Sequence, residues 1–568
     1  MHGEIESGMR KIVVFLALVA ACRPASNPTP ATGELPYQET RFGAVGSHGM
    51  VASDAPLASR VGVEIMKAGG NAVDAAVAVG FALAVVYPEA GNLGGGGFTL
   101  VRMADGRVAS VDFREIAPLA ATRNMFLDDS GRLMKKSEVG PLASGVPGSV
   151  AGLVATHEKF GALLLARVLA PAIRLAEQGF EVDSALSKSD STFAASIQYG
   201  GGALFGPGGK ALAVGTTLRQ PALARTLRAI ADSGASAFYT GAIARDMVAD
   251  LRAAGSIITA EDLARYKPEW REPLRATYRG HTIVTVPPPS SGVTMIETLN
   301  ILEGFAPFPP FGSTRSSHLL ASALQRAFID RNSQLGDPAF VKAPVDHLAD
   351  KSYAAKLRAS IRDQYTPTPA ITTTLREGQH TTHYAVVDAA GNAVSTTTTL
   401  NDLYGSGVYL ATVGIFMNDE MDDFAANPGQ PNMFGLVQGE QNAIQPGKRM
   451  LSSMLPTIVL DRVGRPLLVV GARGGPRIIS AVTQVIVNVI DHHMAISDAI
   501  SGPRLHHQAL PDTLRYEKDF PRGTLDSLRM IGYALKEGGV ASANAILRVA
   551  GGWNGYADPR SGGKAAGY

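Results

Sequence analysis

The chain has 568 residues, and 52 Lys and Arg against 50 Asp and Glu leave a formal charge of only +2, so composition gives no electrostatic case for nucleic acid as a partner. With 45% hydrophobic and 18% charged residues it has the make-up of a globular protein with a large core. A single cysteine, Cys22, excludes an internal disulfide framework and a cysteine-based metal site. Covalent chemistry in the folded part therefore falls to a hydroxyl or a carboxylate.

Met9-Arg10-Lys11 is a basic start, Ile12 to Ala21 is apolar, and Val19-Ala20-Ala21 places small residues immediately before Cys22. This resembles a bacterial lipoprotein signal over 1–22, cleaved before Cys22 with lipid on its thiol. The alternative is a plain secretory signal. The apolar run is too short for a permanent span, which needs ~20 residues. Met1 to Gly8 fit no targeting pattern, which makes Met9 a candidate start. A proline-rich polar tether, 23–42, follows, and the folded part is expected from about Gly43. The expected location is the periplasm or cell surface, with the membrane touched only through the lipid.

Helical periodicity covers Leu57–Lys67 and stops at Gly69-Gly70; Asn71 then caps an apolar stretch, Ala72–Val86, which reads as a buried helix. The run Gly94 to Gly97 matches neither GxGxxG nor GxxxxGK[ST], so no nucleotide loop is expected. Further helices are predicted at Val150–Lys159, Pro171–Gln178, Pro221–Asp232 and Ser316–Arg331, with Pro171 and Pro221 at first helical positions. The part before residue 370 thus reads as mainly helical with short strands.

From Thr381 to Met417, Val, Thr and Tyr alternate in polarity around the turn Ala389-Ala390-Gly391-Asn392, which predicts an antiparallel hairpin. Thr457–Leu460 and Pro466–Val470 read as strands and Ile478–Asp491 as a long helix. With the hairpin turn at Ala390 and Gly391, Thr381 faces Thr399 or Leu400, and the shared face of Thr397 and Thr399 makes Thr399 the nearer candidate. An isolated threonine is a poor nucleophile because nothing removes its proton. At a new chain terminus its own α-amino group, with pKa ~7.7 to 8.0, can serve as base.

Thr381-Thr382-His383-Tyr384, Thr399-Leu400-Asn401, Asn418 to Phe424, Leu451-Ser452-Ser453-Met454, Gly474-Gly475 before Pro476-Arg477, and Phe113-Arg114-Glu115 together resemble the gamma-glutamyltranspeptidase family of N-terminal-nucleophile hydrolases. Pro287 to Gly292 and Ala557 to Arg560 also fit, and the resemblance runs from about Gly43 to Tyr568. It implies an α+β, four-layer αββα sandwich formed jointly by two subunits cut from one precursor. Self-cleavage between His380 and Thr381 would give a helix-rich large subunit, 43–380, and a small subunit, 381–568, paired as a heterodimer. Substrates would be glutathione and other gamma-glutamyl compounds, with water, amino acids or dipeptides as acceptors. No cofactor and no metal are implied.

The resemblance also distributes roles. Thr381 is the nucleophile, Thr399 holds its hydroxyl, and the Gly474 and Gly475 N–H groups form the oxyanion hole. Asn401, Glu420 and Asp423 receive the substrate α-ammonium; Arg114, Ser452 and Ser453 receive its α-carboxylate. Taken alone, Glu420 and Asp423 would read as a solvated loop or cation site, Arg114 as part of a surface ion pair, and the serines and glycines as turn residues. His492-His493 and His506-His507 look like metal pairs, but adjacent residues do not converge on one ion. Pro431 to Gly435 resembles a lid segment in which bacterial members often place a Tyr whose hydroxyl bonds the Asn equivalent to Asn401; here it is Phe434. Two rivals are a cephalosporin (glutaryl) acylase on the same scaffold and an inactive ligand-binding surface lipoprotein.

Overall fold

Thr382–Asp388 and Ala393–Thr399 form the central hairpin, with Thr382 opposite Thr398 and Val387 opposite Ala393. Continuing that register places Thr381 opposite Thr399. The turn closes through Gly391, at φ +88°, whose N–H donates to Asp388. In this computed structural model the described residues are 40–194, 197, 199–200, 204, 210–368 and 381–568. The expected signal segment, Cys22, most of the tether, and His380 lie outside them.

Side chains on the first hairpin strand alternate between two cores. Tyr384 and Val386 pack with the helices Pro56–Lys67, Ala72–Val86 and Ser149–Phe160, whereas Ala385 and Val387 pack between two sheets with Leu468, Val470 and Ile546. A strand buried on both faces is what an inner layer requires. One seven-stranded sheet runs 564–567, 49–53, 382–388, 393–399, 96–102, 108–112, 269–271 in spatial order; the other runs 43–46, 552–556, 542–549, 466–473, 457–460, 281–285, 274–278. All pairings in both are antiparallel. Helices Gly292–Glu303, Thr314–Gln334 and Arg477–Ile490 pack with the second sheet's core. The result is four layers, αββα.

Each sheet interleaves strands from before residue 369 with strands from after residue 380. Neither stretch could bury its own sheet alone, so two pieces cut between them would still share one core.

The predicted helices are present with small shifts: Pro56–Lys67, Ala72–Val86 capped by Asn71 in a reciprocal box with Asp74, Ser149–Phe160, Pro221–Ser233, Thr314–Gln334 and Arg477–Ile490. One start is wrong. Pro171 lies inside a helix, Leu165–Gln178, because buried Val168, Leu169, Ala172 and Ala176 hold one apolar stripe on the core. That packing outweighs the ~3 kcal/mol cost of an interior proline. The hairpin also ends earlier than its alternation suggested: the chain leaves the sheet at Thr399, and Asn401, at φ +77°, turns it toward the loop that carries residues 418–424. The Gly94 to Gly97 run has a packing role. A Cβ on Gly95 would sit 2.0 Å from the Thr399 carbonyl oxygen, so glycine lets the neighbouring strand approach the hairpin at that residue.

Candidate active site

Thr381 sits at the head of the central hairpin strand, 4% exposed, with φ +127°, a strained conformation for a β-branched residue. Its hydroxyl donates to Thr399 Oγ1 at 3.3 Å, and the Asn401 N–H donates to the same Thr399 oxygen at 2.8 Å. The strand is fixed from below: Thr382 Oγ1 donates to Asp54 at 2.9 Å, and Asn544 Nδ2 bonds both Asp54 and the His383 carbonyl. His383 lies between the sheets with Nδ1 2.9 Å from Thr397 Oγ1. Burial pushes its imidazole down to about 3, so it is neutral.

Thr381, Thr399, Asn401, Arg114, Glu420, Asp423, Ser452, Ser453, Phe434 and Gly475 line one cleft, together with Met454, Pro476 and Ile478. Gly474 adjoins it. Gly474 and Gly475 have φ of +131° and +58°, and a Cβ on either would meet Ala541 or the Phe434 ring at 2.9 and 3.1 Å. Their carbonyls are tied back, accepting from Arg477 Nε and the Ile478 N–H, each at 3.0 Å. Both glycine N–H groups, backbone donors beside the cleft, have no acceptor among the described residues.

At the other end of the cleft Arg114 is 1% exposed and Glu420 fully buried, so the readings as a surface pair and a solvated loop fail. The Arg114 guanidinium forks onto Glu420, at 2.5 Å, and Asp423, with Glu115 at 3.5 Å. Its Nε donates to the Met450 carbonyl. Burial raises Glu420 well above the usual carboxylate range, with Arg114 opposing; Asp423 moves the same way for the same reasons. Burial takes Glu115 up to about 8. Burial alone would lower Arg114, but Glu420, Asp423 and Glu115 hold it charged. The residues expected on opposite charges of a ligand thus pair directly with one another.

The Gamma-glutamyltranspeptidase family model matches residues 58–568. The chain belongs to that family. It is 44% identical over 571 residues to the glutathione hydrolase proenzyme of Escherichia coli strain K12, covering 97% of this chain and 98% of that one. It is 39% identical over 544 residues to the acylase ACY 1 proenzyme of Pseudomonas sp. strain SE83, covering 93% of each. Among solved structures, the cephalosporin acylase from Bacillus halodurans superposes with a TM-score of 0.83 at 29% identity, covering 96% of this chain and 99% of that chain. The four layers are thus those of the N-terminal-nucleophile hydrolases.

Some residues that shape the cleft were not singled out from the sequence. Asp422 accepts from Ser137 Oγ at 2.8 Å and from the Met433 N–H at 3.0 Å, anchoring the segment that carries Phe434. Asn401 Nδ2 reaches the Asp419 carbonyl at 3.1 Å and Met433 Sδ at 3.6 Å. Asp422 lay inside the quoted motif; Met433 carried no chemical signal of its own. Among the described residues no helix is long and apolar enough to cross a membrane.

Proposed function

We propose that this chain is a gamma-glutamyltransferase and glutathione hydrolase that matures by cutting itself before Thr381. The observation that carries the reading is the Thr381–Thr399 hydroxyl pair at a strand head, facing a cleft that holds both a buried guanidinium and buried carboxylates. In maturation the Thr381 hydroxyl attacks the His380 carbonyl carbon, the peptide shifts to an ester, and water hydrolyses it. The freed α-amino group then serves as base.

In turnover Thr381 Oγ1 attacks the gamma-carbonyl carbon of the substrate, the C–N bond breaks, and the amine leaves with a proton. Water or the amino group of an amino acid or dipeptide then takes the gamma-glutamyl group from the ester. The Gly474 and Gly475 N–H groups meet the oxyanion, where each preorganised donor is worth about 3 kcal/mol. Arg114, Ser452 and Ser453 hold the α-carboxylate, and Glu420, Asp423 and Asn401 the α-ammonium. Thr399 keeps the nucleophile in line, and Phe434 covers the glutamyl pocket. The large (43–380) and small (381–568) subunits stay together as a heterodimer.

The related acylase favours a second reading, hydrolysis of a glutaryl amide. The acid pair retained around Arg114 supports the first, because a glutaryl group has no ammonium for it. Export to the periplasm or surface, with lipid on Cys22, is part of the proposal and rests on residues 9–22. The deciding experiment compares gamma-glutamyl-p-nitroanilide with its glutaryl analogue on purified, cleaved protein, with and without a dipeptide acceptor. A two-band gel, preference for the first compound and acceptor-stimulated release are expected; preference for the glutaryl compound would replace this reading with the second.

A further inference from the structure

Arg331, near the end of the helix Thr314–Gln334, lies behind the cleft and does not line it. It is 1% exposed, and its guanidinium makes three directed contacts: Nε to Ser291 Oγ at 2.8 Å, one amino group to Asn332 Oδ1 at 2.9 Å, the other to Ser453 Oγ at 3.2 Å. Among the described residues no carboxylate lies within salt-bridge distance of it. A buried guanidinium without a direct counter-ion is costly, and burial lowers Arg331 to about 10, with Asp423 opposing and Arg114 adding to the effect. So this cation stands close to the Arg114–Asp423 pair without being neutralised by it.

The contacts converge on one segment. The Ser291 hydroxyl accepts from Arg331 and donates to the Ser452 carbonyl at 2.6 Å, while the Ser452 N–H donates to the Pro289 carbonyl at 2.7 Å. The Pro287 to Gly292 stretch is thus the brace that connects Arg331 to the serine pair. Hydroxyl bookkeeping sharpens the point, since each serine has one proton and two lone pairs. Ser453 Oγ accepts from Arg331 and Ser452 Oγ accepts from the Met454 N–H at 3.1 Å, so each keeps its own proton for the cleft both residues line. Charge gives a second, separate reason. Arg114 already faces Glu420, Asp423 and, at 3.5 Å, Glu115, so one guanidinium serves three carboxyl groups. A zwitterionic ligand adds no net charge, and a second cation behind the serines offsets part of that excess of acid.

We propose that Arg331 is a positioning residue for the α-carboxylate subsite: it fixes the Ser452–Ser453 segment, turns the Ser453 proton toward the ligand, and supplies the second positive charge there. This rests on the gamma-glutamyl reading above. It predicts a loss confined to substrates that carry that carboxylate.

Three p-nitroanilides separate this role from general support of the fold: gamma-glutamyl, glutaryl, which keeps the carboxylate and lacks the ammonium, and 4-aminobutyryl, which keeps the ammonium and lacks the carboxylate. For cleaved Arg331→Met, kcat/KM should fall roughly tenfold or more on the first two and stay within about twofold on the third. Arg331→Lys should be intermediate, and Ser291→Ala should show the same pattern more weakly; these two carry the comparison if Arg331→Met does not yield cleaved protein. Where the third compound reacts too slowly to read, its inhibition constant against the first replaces kcat/KM. Equal losses on all three compounds, or no loss on any, would overturn the assignment. Wild-type protein that fails to turn over gamma-glutamyl-p-nitroanilide would instead overturn the reading on which it rests.

Discussion

Arg114 and Glu420 meet at 2.5 Å in the cleft, both out of solvent, with Asp423 on the guanidinium's other amino group. A substrate with an α-ammonium and an α-carboxylate can insert between these charges, each new contact replacing part of an old one. A substrate with one charge replaces contacts on one side only. Breaking a buried pair from one side typically costs 3–5 kcal/mol, because the abandoned charge stays buried.

Glutaryl-p-nitroanilide should therefore be a far poorer substrate than gamma-glutamyl-p-nitroanilide by kcat/KM. Glu420→Gln should lower kcat/KM on the gamma-glutamyl compound by about 100-fold while narrowing the gap between the two compounds. The check is steady-state kinetics with both compounds on both proteins. Comparable rates for the two on wild-type protein would remove the reason for placing Glu420 and Asp423 on an ammonium.

Thr381→Ala should remain a single chain on a denaturing gel and show no turnover, since its hydroxyl is both the proposed cutter and the proposed nucleophile. Mass spectrometry of the wild-type small subunit should find Thr381 at its N-terminus. Any other first residue would reassign the nucleophile.

The hairpin and its chemistry were legible because they are local: a Gly-containing turn, two runs of β-branched residues and a fixed register put Thr381 and Thr399 together on the page. The buried helix Ala72–Val86 was legible for a similar reason, an Asn cap before an unbroken apolar run. Arg114, Glu420 and Asp423 were named from motif resemblance, but their pairing with one another was not foreseen, because nothing in separated stretches of sequence states which charges face in the absence of ligand. Pro171 misled, since a local helix-start rule yielded to an apolar stripe packing on the core. The strands at 96–102 and 281–285 were not placed individually in a stretch read as mainly helical with short strands; each has a local partner, 108–112 or 274–278, but its other partner, 393–399 or 457–460, comes from far along the chain.

Cys22→Ser should release or misprocess the protein, and labelled fatty acid should enter the wild-type chain but not the variant. One acyl chain anchors only marginally, whereas several on one cysteine anchor stably. Absence of label from the wild-type chain would leave the stretch before Cys22 as a plain export signal.

Asp422 ties the segment that carries Phe434 to Ser137, and burial raises its carboxyl to about 7, the Met433 N–H and Ser137 opposing. A carboxyl raised on folding contributes stability that is fully present below its unfolded pKa of ~4 and is lost as pH rises through the folded value near 7. Asp422→Asn should remove that slope, leaving the variant relatively more stable above pH 7 by on the order of a few kcal/mol. Thermal unfolding of both proteins between pH 4 and pH 8 reads it directly. Parallel Tm curves would mean that Asp422 does not titrate in that window.

Phe434 sets the last expectation. Its ring packs over Gly475 at the edge of the cleft, where it can exclude water, but it has no hydroxyl with which to hold Asn401. Asn401 spends its side-chain donors on the Asp419 carbonyl and on Met433 Sδ, at 3.6 Å. A thioether is a weak acceptor, so the bond that closes this corner is the weaker of the two. A tyrosine hydroxyl would be a better partner than sulfur, worth about 1 kcal/mol as a net hydrogen bond, and would hold the cover closed for longer over the acyl-enzyme. Phe434→Tyr should therefore raise the ratio of transfer to hydrolysis by a few-fold at fixed acceptor concentration, about what 1 kcal/mol allows. Product analysis by chromatography, with free glutamate and gamma-glutamyl acceptor measured in the same reaction, gives the ratio. An unchanged ratio would show that water reaches the ester by a path that Phe434 does not cover.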